Sequence, residues 1–383
     1  MLLKKKRIAI LGATGSIGES SLDIISRNKE ISGNEDFEVV LLSGHCCSEK
    51  LDKLKKQYPA AECILTSEVN GKEKLLYAVK NAKADITING ISGAAGLEPS
   101  IAVIESGSHL ALANKETIVM AGKLVKNLAK EKKVNIIPVD SEHSAIFHLL
   151  QNFTTKAHKS AKDDELIREI ILTASGGPFR NYNLQDMDKI TVQETLAHPT
   201  WKMGKKITID SASMANKGLE IIEACYLFEV PYEKVKVVIH PQSIVHSMIS
   251  LCNGVFYAQL SKPDMRHPIH DALYWPVTTP LNLDPLNFDS LTLEFSKPDT
   301  GKFPMLSHAW AAAAKGCLYP CAYNAANEIA VAAFLEQKIK FTDIPKITEH
   351  VLQSDWSSNR LDIEAILEAD KTARSRAVSF INY

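Results

Sequence analysis

Between residues 7 and 140, short apolar runs alternate with amphipathic segments, and this rhythm limits the possible folds more than any other feature. The apolar runs lie at residues 8–11, 38–42, 62–65, 85–88, 109–112 and 135–139. Neighbouring parallel strands need crossover connections, which are usually helices, so the alternation indicates βαβ units. The helical period is clearest at residues 117–128. We therefore expect an α/β, Rossmann-like parallel sheet over residues 1–140.

The rhythm changes after residue 140. Strand-like runs lie at residues 169–173, 234–239, 243–251 and 255–260. Asn253-Gly254 separates the last two, which favours a tight hairpin because both residues tolerate positive φ. Four prolines between residues 275 and 301 disfavour continuous secondary structure, so residues 276–300 are expected to be a linker. Helical patterns follow at 309–314, 325–337, 344–352 and 363–373. We expect an α+β central domain over 141–275 and a C-terminal helical bundle over 301–383.

Composition excludes several classes of protein. The 383 residues are 45% hydrophobic and 23% charged, with a formal net charge of −1, which is typical of a globular chain rather than a nucleic-acid binder. The seven cysteines form no Cys-x-x-Cys pair, which favours free thiols in a reducing compartment. No apolar run has the length of a membrane span, and the N-terminus lacks a secretory pattern. We expect a cytoplasmic protein that binds neither membrane nor nucleic acid.

A glycine-rich segment, Gly12-Ala13-Thr14-Gly15-Ser16-Ile17-Gly18, follows the first predicted strand. Glycines let backbone approach a pyrophosphate, and the following helix N-terminus faces its negative charge. The spacing is G-x-x-G-x-x-G, so a purely structural turn is the alternative, but the strand-turn-helix context favours a dinucleotide. The second strand ends at Gly44-His45 without the acid that would bind the ribose of NAD, which favours NADP.

Two carboxylates follow the sixth apolar run, in Asp140-Ser141-Glu142-His143. If this chain is extended, Asp140 and Glu142 project to the same side. With a third carboxylate they would form an oxygen site suited to Mg²⁺ or Mn²⁺. The alternative is a solvated loop, or a cap on the helix predicted at 145–150.

Three later segments are candidates for ligand binding. The small residues at 173–178 could form an anion-binding nest, or only an ordinary turn. Segment 210–220 places Asn216 and Lys217 just before a predicted helix at 221–228, which suits a phosphate, and Glu220 could reach a metal. The basic loop 198–206 carries Trp201 and Met203 and could close over a charged ligand, although Trp201 could equally anchor the loop to a core.

Together these motifs resemble the deoxyxylulose phosphate reductoisomerase family over essentially the whole chain. Eight segments stand in the family's order, at residues 12–18, 113–116, 138–143, 175–179, 198–204, 216–220, 240–243 and 263–266. The resemblance implies conversion of 1-deoxy-D-xylulose 5-phosphate into 2-C-methyl-D-erythritol 4-phosphate in non-mevalonate isoprenoid biosynthesis. It also implies NADPH, Mg²⁺ or Mn²⁺ with Co²⁺ as a further option, and a homodimer.

The resemblance also implies residue roles. The metal ligands are Asp140, Glu142 and Glu220, and the catalytic residues are Lys115 and Glu142. Residues around the substrate, mainly its phosphate, are Ser175, His198, Ser211, Asn216 and Lys217, with Ser141 and Lys115 at its hydroxyl end and Trp201 in a flap at 197–206. The cofactor residues are Thr14, Gly15, Ser16, Ile17, Gly44, Asn114, Glu116 and Gly204.

One position departs from the family pattern. Family members usually have Gly-Lys-Asn or Gly-Arg-Asn after the second strand, whereas this chain has Gly44-His45-Cys46. Since histidine is often neutral near pH 7, the preference for NADP is expected to be kept but weakened. Two other functions stay open at this point. A metal-free NAD(P) dehydrogenase would keep its turnover in the presence of a chelator. A non-catalytic Rossmann protein would need neither Glu220 nor Lys217.

Overall fold

The computed structural model describes residues 5–32, 36–153, 166–197 and 203–382. The chain divides into two compact units. The first unit comprises Met1–Thr117, Val125–Ser144 and Asp264–Leu283. The second unit comprises Ile118–Leu124, Ala145–Pro263 and Asp284–Tyr383. Both units are therefore assembled from separate stretches of sequence, and the domain boundaries expected at residues 140, 275 and 300 remain predictions.

The first unit is built on a six-stranded parallel sheet. Its strands are β1 (Lys6–Leu11), β2 (Phe37–Gly44), β3 (Glu62–Leu65), β4 (Ile86–Asn89), β5 (His109–Leu112) and β6 (Ile136–Pro138). They are arranged in the order β3-β2-β1-β4-β5-β6, with every neighbouring pair parallel. The apolar residues of β1 and β4 are almost fully buried, as expected for a sheet covered on both faces. The predicted Rossmann-like sheet is confirmed.

Helices connect the strands of this sheet. They are α1 (Ser16–Ser32), α2 (Ser48–Gln57), α3 (Gly71–Asn81), a 3₁₀ turn (Ala94–Gly96), α4 (Leu97–Glu105) and α5 (Lys115–Lys132), with α6 (Ser141–Phe153) after β6. Helix α5 is kinked at Ala121, whose φ is −137° and ψ is 24°.

A later helix, α10 (Arg266–Tyr274), belongs to the first unit. The Nζ atom of Lys6 on β1 donates to the carbonyl oxygens at its C-terminal end, of Leu273, Tyr274 and Trp275, at 3.0–3.3 Å. At the other end, Arg266 pairs with Asp23 of α1 at 3.3 Å. These contacts attach a distant part of the sequence to the first strand and first helix.

The second unit contains a four-stranded mixed sheet. Its strands are β7 (Ile167–Ala174), β8 (Val235–Ile239), β9 (Val245–Leu251) and β10 (Phe256–Leu260), in the order β10-β9-β7-β8. Strands β9 and β10 pair antiparallel across Asn253-Gly254, and Gly254 has φ of +86°, so the predicted hairpin is confirmed. The helices before and between these strands are a 3₁₀ helix (Leu184–Lys189), α7 (Val192–Leu196), α8 (Lys205–Ala212), α9 (Ala215–Leu227) and a 3₁₀ turn (Tyr232–Lys234).

The C-terminal part of the second unit is helical, as predicted. Its helices are α11 (Met305–Lys315), α12 (Tyr319–Leu335), α13 (Asp343–Leu352) and α14 (Ile363–Ile381). Residues 276–300 form no helix, and the strand-like pairing described in this stretch is a single bridge between Ser296 and Ile239. Among the described helices, none combines the length and apolar character needed to span a bilayer.

Candidate active site

The glycine turn after β1 is shaped by close backbone approach. Gly12 has φ of +82°, and a Cβ atom there would lie 2.9 Å from the carbonyl oxygen of Gly90, just after β4. A Cβ atom on Gly18 would overlap the backbone of Ala13. The amides of Gly12 and Ala13 donate to Ser43 at the end of β2, at 3.1 and 2.7 Å. The turn therefore lies where the strand order reverses, which is the usual ligand crevice of such sheets.

The predicted cofactor residues are accessible in this turn. Gly15 and Ser16 are exposed, and Thr14 and Ile17 are half-buried. A Cβ atom on Gly15 would meet only the Gly12 oxygen, at an ordinary 3.5 Å, so the fold itself does not require glycine there. With the N-terminus of α1 immediately behind, these residues fit a dinucleotide pyrophosphate.

His45 lies at the end of β2, beside the buried Gly44. Its Nδ1 atom is 3.0 Å from Thr66 Oγ1, and that hydroxyl donates its hydrogen to the Gly44 carbonyl at 3.2 Å. This contact occupies the Nδ1 atom of His45. The Nε2 atom of this exposed ring is then the nitrogen that remains for a ligand.

Asn114 and Glu116 are buried at the start of α5, with Asn114 only 2% exposed. The Asn114 amide nitrogen donates to the carbonyls of Ile91 and Gly93 at 2.7 and 2.8 Å, and its side-chain oxygen caps α5 at Thr117 N. The Asn114 side chain thus fixes the loop after β4 to the start of α5. This structural task was not expected from the sequence.

The carboxylates after β6 do not lie on an extended chain, so that premise was wrong. Strand β6 ends at Pro138 and helix α6 begins at Ser141, which places Glu142 in the first helical turn. The Asp140 Oδ1 atom accepts from the Glu142 amide at 3.3 Å, as a helix cap would. The Ser141 hydroxyl donates to Glu142 Oε2 at 2.5 Å.

Asp140 also lies among cationic and titratable groups of the first unit. Lys115 Nζ is 2.6 Å from Asp140 Oδ2, and Lys115 is 5% exposed. The His143 Nδ1 atom is 3.2 Å from the other oxygen, Oδ1. The capping role and an ionic role therefore coexist in one carboxylate. A charged pair this well buried is costly unless further bonds or a ligand compensate it.

In the second unit, helix α9 begins six residues before the helix expected at 221–228, because Met214 turns the chain with φ of 63°. Asn216, Lys217 and Glu220 are thus within the helix rather than before it. Lys217 Nζ forms an ion pair with Glu220 Oε2, and Asn216 Nδ2 donates to Glu220 Oε1 at 2.5 Å. Lys217 is 4% exposed and Glu220 is fully buried. Lys217 and Glu220 therefore lie on one face of α9.

The small-residue turn after β7 packs on helix α8. Gly176 and Gly177 have φ of +81° and +67°, and a Cβ atom on Gly177 would lie 3.0 Å from the Ser211 carbonyl oxygen. The Gly177 amide donates to Ser175 Oγ at 3.3 Å. The structure therefore brings the Ser175 turn against the Ser211 backbone, at the helix pair that carries Asn216 and Lys217.

Two predicted residues, His198 and Trp201, lie outside the described residues, as does half of the expected flap. Its last part is described, with Met203 half-buried and Gly204 exposed as the residue that precedes α8. Asp210 had no predicted role, yet it is almost fully buried between Lys206 Nζ at 3.0 Å and Asn327 Nδ2 at 2.8 Å.

Comparison with known proteins identifies the family of this chain. A family model described as 1-deoxy-D-xylulose 5-phosphate reductoisomerase matches residues 8–69 and 47–122. Two models of the C-terminal domains of the same enzyme match residues 136–228 and 260–376.

Relatives match over nearly the full chain. The 1-deoxy-D-xylulose 5-phosphate reductoisomerase of Treponema denticola is 46% identical over 98% of this chain and 97% of its own. That of Pelodictyon phaeoclathratiforme is 43% identical, over 98% and 100%. Among solved structures, DOX-P reductoisomerase in complex with NADPH, fosmidomycin and magnesium is 36% identical, covers 98% of both chains and has a TM-score of 0.88. The Zymomonas mobilis reductoisomerase in complex with NADPH is 37% identical, covers 99% of both and has a TM-score of 0.85. Together with the Rossmann-like sheet and the buried Lys217–Glu220 pair, these matches show that the chain belongs to the 1-deoxy-D-xylulose 5-phosphate reductoisomerase family.

Proposed function

We propose that this chain converts 1-deoxy-D-xylulose 5-phosphate into 2-C-methyl-D-erythritol 4-phosphate, as an NADPH- and divalent-metal-dependent enzyme of isoprenoid biosynthesis. Family membership over nearly the whole length supports the reaction. The observation that carries the assignment to this chain's own residues is the buried Lys217–Glu220 pair, because one helix then offers a cation for a phosphate and a carboxylate for a metal.

The cofactor binds at the glycine turn in this proposal. The backbone of Thr14, Gly15, Ser16 and Ile17 faces the NADPH pyrophosphate, where the amides of the α1 N-terminus attract negative charge. Gly44 lies close behind the turn, and the exposed ring of His45 faces the 2′-phosphate. Glu116 lies on the nicotinamide side, where Asn114 holds the loop in place. Gly204, before α8, is the cofactor contact from the flap. NADPH supplies the hydride.

The metal ligands are Asp140, Glu142 and Glu220 in this proposal. They form an all-oxygen set, which suits a hard cation such as Mg²⁺ or Mn²⁺ rather than zinc. The bound ion supplies positive charge beside the substrate's carbonyl and hydroxyl oxygens. Lys115, held against Asp140, adds positive charge at the same end of the substrate.

The substrate is oriented through its phosphate in this proposal. Lys217, Asn216, Ser211 and Ser175 bind the phosphate, together with His198 from the flap. Ser141 binds the hydroxyl end. Trp201 closes over the substrate and excludes water, which strengthens every charge interaction beneath it. A phosphate fixed in this way would hold the reacting carbons in one place relative to the bound metal and cofactor.

A homodimer in the cytoplasm completes the proposal. Strand β10 is at the edge of its sheet, and Phe256 and Tyr257 on it are 60% and 41% exposed. An exposed apolar edge strand is a liability in a monomer, and a second copy could cover it. All seven cysteines are free, which supports a reducing compartment.

The test is NADPH oxidation with 1-deoxy-D-xylulose 5-phosphate, measured with Mg²⁺, without it, and with EDTA followed by Mg²⁺. We expect turnover only when Mg²⁺ is present and full recovery when it is restored. Turnover that survives EDTA would identify a metal-free dehydrogenase instead. No turnover under any condition, in a protein that still binds NADPH, would indicate a non-catalytic role.

A further inference from the structure

One face of helix α12 packs against both helices that carry the phosphate-binding residues. Tyr323 and Asn327 are four residues apart on this face, and both are fully buried. The Asn327 Nδ2 atom donates to Asp210 Oδ1 on α8 at 2.8 Å. The Tyr323 hydroxyl lies against Gly218 on α9, where a Cβ atom would overlap it. Helix α12 therefore contacts both ends of the segment from 210 to 218.

Asp210 makes a polar contact through each of its two carboxylate oxygens. Its Oδ2 atom is 3.0 Å from Lys206 Nζ, one helical turn earlier on α8, while Oδ1 accepts from Asn327. The Asp210 side chain is only 2% exposed. An Asn327 variant without the amide donor would leave a nearly buried carboxylate oxygen short of one bond, which is expensive in a protein interior.

The contact with Gly218 is one of shape. Burial raises the pKa of Tyr323 well above its ordinary value, and the charge of Asp210 raises it further, so the hydroxyl stays protonated. It donates to the Met305 carbonyl on α11 at 3.2 Å. Tyr323 is therefore held firmly where it lies against α9.

Ser211, Asn216 and Lys217 lie between these two anchored points. Asn327 is a poor choice for packing alone, since its Oδ1 atom accepts no hydrogen bond from the residues that the structure describes. A leucine of similar size would avoid that unpaired oxygen. The Asn327 amide therefore lowers the stability of the fold, and it donates to Asp210, the residue before Ser211.

We propose that Asn327 is a positioning residue for the substrate phosphate: through Asp210 it holds α8 so that Ser211, Asn216 and Lys217 present their donors together. The C-terminal bundle thereby takes part in substrate binding without touching the substrate. This inference rests on the phosphate site of the proposed function.

Asn324 offers a matched control on the same helix. It is also fully buried, and its Nδ2 atom donates to Glu328 Oε1 at 3.1 Å. Glu328 in turn pairs with Arg374 of α14 at 2.6 Å. Asn324→Leu therefore removes a buried amide within the bundle, whereas Asn327→Leu removes one that contacts Asp210.

We expect Asn327→Leu to raise the KM for 1-deoxy-D-xylulose 5-phosphate and the dissociation constant of fosmidomycin about ten-fold, with a smaller change in kcat and none in NADPH affinity. Asn324→Leu should change thermal stability but neither the KM for 1-deoxy-D-xylulose 5-phosphate nor the dissociation constant of fosmidomycin. Equal substrate constants in the two variants would overturn the inference.

An exchange of the two partners provides a second, independent test. Asn327→Asp places two carboxylates together and should raise the KM. Adding Asp210→Asn restores a donor opposite an acceptor and should return the KM toward the wild-type value. If Asn327→Leu does not fold, the exchange tests the inference in its place. A KM that does not fall when Asp210→Asn is added to Asn327→Asp would overturn the inference.

Lys217→Ala separates the two possible failures. A raised KM in Lys217→Ala with an unchanged KM in Asn327→Leu would leave the phosphate site standing and reject the role of Asn327. Unchanged affinity in both variants would reject the phosphate site itself, and the inference with it.

Discussion

Lys217 and Glu220 lie one turn apart on helix α9 and form an ion pair in which both side chains are almost fully buried. Water does not screen such a pair, so each partner strongly affects the other. The two residues are assigned to different ligands, the phosphate and the metal. Changes at the two positions should nevertheless have their largest effects on different binding constants.

Lys217→Ala should raise the KM for the sugar phosphate and weaken fosmidomycin by about one to two orders of magnitude, because one charge-assisted contact is lost. NADPH binding should change little. Lys234→Ala is the control, since Lys234 Nζ also bonds in the second unit, to the Ile167 carbonyl at 3.1 Å, but has no assigned ligand. Intact substrate affinity together with lower thermal stability would make Lys217 purely structural.

Glu220→Gln should lower metal-dependent turnover by orders of magnitude, because a neutral amide is a much poorer ligand for a hard cation. The substitution keeps the size of the side chain, so the fold and NADPH binding should remain, with lower thermal stability because Lys217 loses its buried counter-charge. Turnover measured across a range of Mg²⁺ concentrations would show the change. Wild-type turnover at ordinary Mg²⁺ would remove Glu220 from the metal site.

Gly15→Ala should affect NADPH binding, whereas Gly18→Ala should affect thermal stability. A Cβ atom on Gly15 makes only an ordinary contact, so Gly15→Ala should fold normally yet raise the KM for NADPH. A Cβ atom on Gly18 would overlap the Ala13 backbone, so Gly18→Ala should lower thermal stability. Calorimetry and NADPH titration distinguish the two. Normal NADPH binding by Gly15→Ala would count against pyrophosphate binding at this turn.

His45→Lys should increase the preference for NADPH over NADH, because a permanent positive charge would replace the imidazole near the 2′-phosphate. The measurement is the ratio of kcat/KM for the two cofactors. Cys46→Ala, at the exposed neighbouring position, is the control and should leave the ratio unchanged. An unchanged ratio in His45→Lys would place the 2′-phosphate elsewhere.

Thermal stability should fall as the pH decreases, and His308 should account for part of the fall. Burial lowers the pKa of His308 below 6.5, although Glu349 opposes the shift. The unfolded chain then binds the proton more readily, so this contribution is present above pH 6.5 and is lost as the pH falls through the lower folded value. His308→Asn should reduce the fall in melting temperature between pH 7 and pH 5. Identical slopes in variant and wild type would exclude His308.

The strands of the first unit could be predicted because a strand buried in a parallel sheet must be an apolar run. The start of α9 could not, since Asn216, Lys217 and Glu220 interrupt the apolar period, and their bonds to each other inside the fold are not visible in the sequence. The start of α6 at Ser141 was missed for a related reason, because Asp140 is compatible with both a strand end and a cap.

Asn327 gave no signal in the sequence. It lies in an alanine-rich helix that is buried nearly all round, so no polar face marks its position. Its partner Asp210 is 117 residues away along the chain, a distance over which sequence periodicity gives no information about contact. Only the tertiary structure relates these two residues.

The attachment of α10 to β1 through Lys6 has a consequence for the order of synthesis. The first unit needs Asp264–Leu283, but the ribosome makes most of the second unit's central part, Ala145–Pro263, before that segment. At about 5–20 residues per second, roughly ten to fifty seconds pass between synthesis of Lys6 and synthesis of its partner helix. The first unit, although its first strand is made early, therefore cannot be completed until Leu283 has been synthesised.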